Sequence, residues 1–198
     1  NIGHFAAVGH PRALAIEVVT IVFMLASGMS FLGHHVALHR QPRVGLFTLE
    51  NRAYWLLLAV GVLLIAGEGL LWPHRAELVP GCPDAGSLTR VAVFQSASVL
   101  SSAGFTTRTL LQMQSLAAGV QVLMLLLLVG GCVGSTAGGV KVLRLVVLAR
   151  FTWHQVRRAT FPSRCVMPFT MEGRVMQPDE VVRMVMLVFT WAAVTVLL

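Results

Sequence analysis

The stretch Gly130-Gly131-Cys132-Val133-Gly134-Ser135-Thr136-Ala137-Gly138-Gly139-Val140-Lys141 decides how this chain is read. It follows the apolar run 120–129 with no polar break. Its five glycines and two hydroxyl residues leave backbone N–H and C=O groups without regular helical partners. In hydrocarbon each unsatisfied group is costly, so irregular backbone persists there only inside protein or along a wet cavity. A helix broken at membrane depth points to transport.

The surrounding composition agrees. The 198 residues are 56% hydrophobic and 12% charged, with a mean hydropathy of +0.78. These values place the chain among membrane proteins. Segments 13–37, 53–72, 110–129 and 181–198 have about the 20 apolar residues needed to cross a bilayer core. The net charge of +7 sits on residues flanking these segments and is not interleaved with stacking aromatics, so nucleic acid is not an expected partner. Cys82, Cys132 and Cys165 are too scattered for a disulfide framework or a zinc site. No catalytic constellation is present, so no enzymatic activity is expected. Asn1 stands first and Leu198 lies within an apolar run, so the chain is expected to be a piece of a longer protein that conducts nothing alone.

Arg and Lys counts set the orientation. Arg40, Arg43 and Arg52 crowd segment 39–52. Lys141, Arg144, Arg150, Arg157, Arg158, Arg164, Arg174 and Arg183 crowd segment 141–183. Segment 73–108 holds only Arg75, Arg90 and Arg108, offset in part by Glu77 and Asp84. The first two read as cytoplasmic and the third as external.

Residues 87–100 are mostly apolar but too short to span, in the range of re-entrant segments. Ser87 is the expected N-cap. The segment ends in Ser101-Ser102-Ala103-Gly104-Phe105-Thr106-Thr107. A short helix dipping in from outside, followed by an extended strand climbing back, satisfies both flanks. Its C-terminus would turn partial negative charge toward the membrane centre. The strand could aim carbonyls at a desolvated cation. Gly104 suits dihedrals closed to other residues. Ser101, Ser102 and Ala103 are small enough to leave the carbonyls free, and Thr106 and Thr107 are expected to tie the strand to neighbouring backbone.

Two motifs carry a resemblance. One is Phe94-Gln95, then Leu100-Ser101-Ser102-Ala103-Gly104-Phe105-Thr106-Thr107. The other is the Gly-rich run Gly130 to Lys141, continuing through Val142 to Arg144. With the patch Gly28-Met29-Ser30-Phe31 and His34, they resemble the Trk/Ktr/HKT superfamily of potassium uptake proteins, and within it the bacterial TrkH/TrkG subunits. The resemblance implies an all-α polytopic membrane protein built from span–pore helix–span repeats, with a re-entrant filter loop and a broken inner helix. It implies potassium at Ser101, Ser102, Ala103 and Gly104, with Phe105 completing that quarter of the filter. Gly130, Gly131, Gly134, Ser135, Thr136, Ala137, Gly138 and Gly139 would form the gating loop, and Lys141 and Arg144 its regulatory cytoplasmic continuation. Residues 1–52 would hold the second span of repeat two with a cytoplasmic loop. Residues 53–158 would be repeat three: span 53–72, pore helix 87–100, filter 101–107 and broken span 110–158. Residues 159–198 would be a cytoplasmic linker and the start of repeat four.

The resemblance further implies potassium uptake through a Trk-type system in the cytoplasmic (inner) membrane. The protein would be multi-pass, a homodimer in the lipid bilayer, served by a cytosolic nucleotide-binding regulatory subunit that could touch Arg150 to Arg158. No covalent cofactor is implied, only K+ as the transported ion. The family commonly has threonines where this chain has Ser101 and Ser102.

Other readings are weaker. Gly134 and Gly139 have Walker spacing, but Val140 stands where lysine is required. Gly130 and Gly134 fit small-residue helix packing, yet the pairs Gly130-Gly131 and Gly138-Gly139 favour a break. His35 and His39 share a helical face without a carboxylate or cysteine beside them, so packing outweighs a metal site. Glu17 and Glu68 are either interfacial carboxylates or ion-path acids. A sodium-coupled or sodium-carrying relative, a secondary transporter with a broken-helix site, and a non-transporting scaffold are the alternatives. A β-branched residue at Gly138 or Gly139 is expected to alter conduction more than assembly.

Overall fold

A computed structural model describes residues 2, 11–39, 48–71, 84–108, 116–160, 169–171 and 173–197. Arg40, Arg43, Arg75, Glu77, Cys82, Arg164 and Cys165 lie outside them, as does the start of the third expected span. The described elements are α1 (Ala13–Gly28), α2 (Phe31–His39), α3 (Leu49–Leu71), α4 (Ala85–Leu100), α5 (Ala117–Val129), α6 (Val142–Ala159), β1 (Thr170–Met171), β2 (Arg174–Val175) and α7 (Pro178–Leu197). The structure is mostly helical, as expected. The antiparallel pair β1–β2, with Thr170 opposite Val175 and Met171 opposite Arg174, is an addition to an all-α expectation.

Helix α3 is long and apolar enough to cross a bilayer, and α1 with α2 passes the same test as one span bent by 98°. The apolar stretch expected to span over 13–37 is therefore bent within its length. Met29 is extended (φ −81°, ψ 161°) and ends α1. Gly28 is needed beside the break because any Cβ there would run into the Tyr54 hydroxyl. His34 Nε2 donates back to Ala26 O at 2.9 Å, holding the bend.

Helix α4 is the centre of the packing. It lies against α3, α1 and α5, and Ala92, Phe94, Ala97 and Leu100 are fully buried. One apolar cluster joins Ile65, Leu88, Val91, Leu116 and Leu123. A second joins Met24, Tyr54, Phe94, Leu126 and Val142. Many side chains on α1 and α3 remain exposed, among them Phe23, Leu56 and Leu63, which suits surfaces that meet lipid or further protein.

The caps correct one expectation. Helix α4 begins at Ala85 behind Asp84, and Ser87 is the reciprocal member of a capping box, its Oγ accepting the Asp84 N–H at 3.3 Å. The acidic residues also resolve. Glu17, on α1, is buried and ion-pairs with Arg90 of α4 at 2.9 Å. Glu68, near the end of α3, accepts the Ala118 and Gly119 N–H groups at 3.1 and 2.5 Å. It therefore supplies the start of α5 with a cap that Leu116 cannot provide. Glu68→Ala is expected to lower stability by about 1–2 kcal/mol, the usual cost of a lost helix cap. Thermal unfolding of the purified protein checks this, and an unchanged midpoint would refute the capping role.

Candidate functional site

The turn after α4 is built by α4 itself. Ser101 N donates to Ala97 O, Ser102 N to Val99 O and Ala103 N to Ser98 O, each at 3.0 Å. Ser102 takes φ +55° and Gly104 φ +73°, and the chain continues without regular secondary structure through Phe105, so the expected strand is an irregular segment. This segment is tied to α4 by Ser98 Oγ donating to Phe105 O and Gln95 Nε2 donating to Arg108 O, both at 2.5 Å. The threonines contribute less than expected. Thr106 O accepts the Ile2 N–H at 2.9 Å, but the buried Thr107 Oγ1 finds no partner among the described residues. Serine and glutamine of α4 do the tying because their side chains already face the segment.

The consequence is a row of open acceptors. The carbonyls of Ser101, Ser102, Ala103 and Gly104 accept no hydrogen bond from the described residues, whereas those of Phe105 and Thr106 are engaged. Ser102, Ala103, Gly104 and Phe105 are exposed and Ser101 is buried behind them.

The Gly-rich run forms a closed lariat between α5 and α6. Chain leaving α5 is met by chain entering α6: Val140 N donates to Leu128 O at 3.0 Å and Lys141 N to Val129 O at 2.9 Å. Residues 130–139 are thereby looped out between the two helices. Gly130 (φ +71°) and Gly139 (φ +83°) sit at the neck. A Cβ on Gly130 would run into Gly138 O, and one on Gly139 would lie 2.8 Å from Leu128 O and 2.9 Å from Gly130 N. Gly134 and Gly138 are different, because a Cβ on Gly134 meets nothing and one on Gly138 meets only Ser102 Oγ at 3.8 Å.

Two neighbouring helices anchor the lariat. The broken end of α1 offers Gly28 O to Cys132 N at 2.9 Å and Ser27 O to Thr136 N at 3.4 Å. The first turn of α3 offers Glu50 Oε1 to Val133 N at 2.5 Å, and the Cys132 thiol donates to Asn51 Oδ1 at 3.5 Å. The loop's own closure uses Ser135 Oγ on Cys132 O at 2.6 Å. Lys141, held at φ +78°, donates its Nζ to Ala137 O. Arg144 Nη1 donates to Val140 O at 3.4 Å. Both cations thus satisfy carbonyls that the break leaves open.

The two motifs meet. Gly138 N donates to Ser102 Oγ at 3.1 Å, joining the lariat to the segment after α4 across 36 residues of sequence. Sequence reasoning singled out every residue of both segments but missed Glu50, Asn51 and Ser98 as their supports. The signal for Glu50 was an acid opening an apolar span. His35 and His39 pack on each other with ring centroids 4.6 Å apart.

A helical chain that carries a long apolar span, a bent span and a lariat closed between two apolar-flanked helices has the character of a membrane transport protein. Comparison with known proteins agrees. The family described as TrkH, cation transport protein, matches residues 9–198. The chain is 29% identical over 182 residues to the Trk system potassium uptake protein TrkH of Halomonas elongata, covering 92% of this chain and 36% of that protein. It is 32% identical over 166 residues to the protein of the same name from Vibrio parahaemolyticus, covering 80% and 32%. The crystal structure of the potassium transporter TrkH from Vibrio parahaemolyticus superposes with a TM-score of 0.78 at 28% identity, covering 92% of this chain and 38% of that one. This chain belongs to the TrkH cation transport protein family. It spans about a third of the length of the curated relatives it matches.

Proposed function

We propose that this chain is part of the pore-forming subunit of a Trk-type potassium uptake system. In this reading Ser101, Ser102, Ala103, Gly104 and Phe105 form one quarter of a filter. Potassium leaves its hydration water for the main-chain carbonyls of Ser101 to Gly104. The observation that carries the reading is that row of four successive carbonyls with no partner among the described residues. A folded chain leaves so many adjacent acceptors open only where water or an ion takes them. Helix α4 delivers them from its C-terminal end, where the helix dipole is negative and favours a cation.

The lariat, from Gly130 to Gly139, is the gate beneath the filter. A side chain at Gly134 or Gly138 would meet little, while the neck is closely packed and fixed by main-chain bonds. Lys141 and Arg144 brace the neck from the side of α6 and give a regulatory subunit a lever on the loop. Residues 1–52 close repeat two, 53–158 form repeat three, and 159–198 lead into repeat four. The protein is multi-pass in the cytoplasmic membrane, works as a homodimer, and answers to a cytosolic nucleotide-binding subunit near Arg150, Arg157 and Arg158. The curated relatives named as potassium uptake proteins support potassium over sodium.

Rubidium tracer uptake into liposomes holding the full-length protein tests the reading, and uptake no greater than in empty liposomes would overturn it. Within it, Ser102→Ala removes the acceptor for Gly138 N and leaves the four carbonyls in place. Loss of one such bond, about 1 kcal/mol, should shift the loop's balance about five-fold. Tracer flux should change by that order with the potassium-to-sodium ratio retained. Ser101→Ala should change flux less, since among the described residues Ser101 Oγ bonds within its own turn, to Ser98 O at 3.2 Å. Equal fluxes in wild type and Ser102→Ala would remove the contact from the mechanism.

A further inference from the structure

A cavity of about 560 Å³ lies between α6, the β1–β2 hairpin and α7, away from the filter and the lariat. Its walls are apolar: Leu143 and Val147 of α6, Met171 of β1, Met176 just after β2, and Met184 and Leu187 of α7. At its mouth stand Arg174, Glu180 and Arg183. Arg174 is ion-paired with Glu180 at 2.9 Å. The exposed Arg183 has no partner among the described residues, so the mouth carries one uncompensated positive charge beside a second guanidinium.

We propose that this cavity binds one anionic phospholipid, its phosphate on Arg183 and Arg174 and an acyl chain against the apolar walls. Four observations select that occupant. The volume falls in the range of small-molecule sites. The lining separates charge from hydrocarbon, as an amphiphile requires. A nucleotide would find no aromatic wall to stack on among the described residues, and a free phosphate has no use for six apolar side chains. Three methionines give a surface that adapts to a flexible chain.

Position along the chain adds to this. Helix α7 is charged in its first turn, at Asp179 and Glu180, and carries no charged residue after Arg183. The cavity thus straddles the level where headgroup gives way to hydrocarbon. Helix α6 ends in Arg157 and Arg158 with Trp153 and Val156 exposed, the make-up of a helix lying at a membrane surface. Basic pockets between spanning helices on the cytoplasmic side hold anionic headgroups on the same physical basis.

The test uses the full-length protein reconstituted in phosphatidylcholine vesicles with and without phosphatidylglycerol, then extracted for native mass spectrometry of retained lipid. Wild type should retain phosphatidylglycerol. Arg183→Gln should retain about five-fold less, the factor one basic residue contributes beside an anionic headgroup. Met176→Glu, which sets a carboxylate against the phosphate, should abolish retention. Both variants should unfold at the wild-type temperature in phosphatidylcholine alone, which separates lost lipid from lost fold. Equal phosphatidylglycerol retention by wild type and both variants would overturn the proposal, as would a cross-link showing another segment of the protein seated in the cavity.

Discussion

Gly130→Ala is expected to remove the folded protein from the membrane, with little left whose conduction could be measured. The residue sits at φ +71° and ψ −160°, a region that is essentially closed to residues with a Cβ and costs about 1–3 kcal/mol to occupy. The added methyl would also meet Gly138 O, which is backbone and cannot rotate away. Relieving that collision means opening the neck closed by Val140 N on Leu128 O and Lys141 N on Val129 O. Buried backbone groups left without partners add about 1–3 kcal/mol each. Gly139→Val should behave alike, with φ +83° and backbone within 2.9 Å of the new Cβ. Gly138→Ala is the counterpart. Its Cβ has ordinary room beside Ser102 Oγ, so the protein should reach the membrane at the wild-type level and differ in flux. Quantitative immunoblotting of membrane fractions beside tracer uptake checks all three. Wild-type membrane levels of Gly130→Ala would refute the neck as described. The pair Gly138 and Gly139 therefore divides: one reports on the passage, the other on assembly, where the sequence suggested the same outcome for both.

Gly104→Ser is expected to lower the potassium-to-sodium uptake ratio about tenfold. A Cβ at Gly104 meets no atom within 4 Å, so crowding is not the cause. The cause is φ +73°. A left-handed conformation costs a residue with a Cβ about 1–2 kcal/mol, close to the energy of a tenfold preference. The segment can escape that cost by rotating the peptide groups beside residue 104, which turns the Ala103 and Gly104 carbonyls away from a common direction. Discrimination between ions of one charge depends on the number and aim of such carbonyls. Competition of sodium with rubidium tracer in the full-length protein measures the ratio, and an unaltered ratio would take residue 104 out of the filter.

Much of the helical framework was legible along the chain. The apolar segments over 53–72 and 181–198 coincide with α3 and α7 as far as Leu71 and Leu197, the last described residue of each. The short segment before Ser101 is a helix, and the Gly-rich run is irregular as its composition demands. The bend inside the apolar stretch 13–37 was not legible, for a specific reason. Nothing local in Gly28-Met29-Ser30 forces a 98° bend in an apolar stretch. The bend is stabilised by partners more than a hundred residues away, because the Gly28 and Ser27 carbonyls freed at the break are taken by Cys132 and Thr136. The role of Ser87 slipped by three residues because aspartate and serine both cap helices, and only the backbone shows which one leads.

The order of residues alone determined where this protein cannot stay helical: clustered glycines at 130–139 and Gly104 after a short apolar helix fix those points, since backbone freedom is a property of each residue. Tertiary structure alone decided what the freed backbone does. Glu50 reaching Val133, Glu68 capping α5, Arg90 neutralising Glu17 and Ser102 holding Gly138 are pairings across 36 to 83 residues. Such pairings are set by how α4 packs among α1, α3 and α5, and no local pattern of polarity or spacing records which distant groups that packing brings within hydrogen-bond reach.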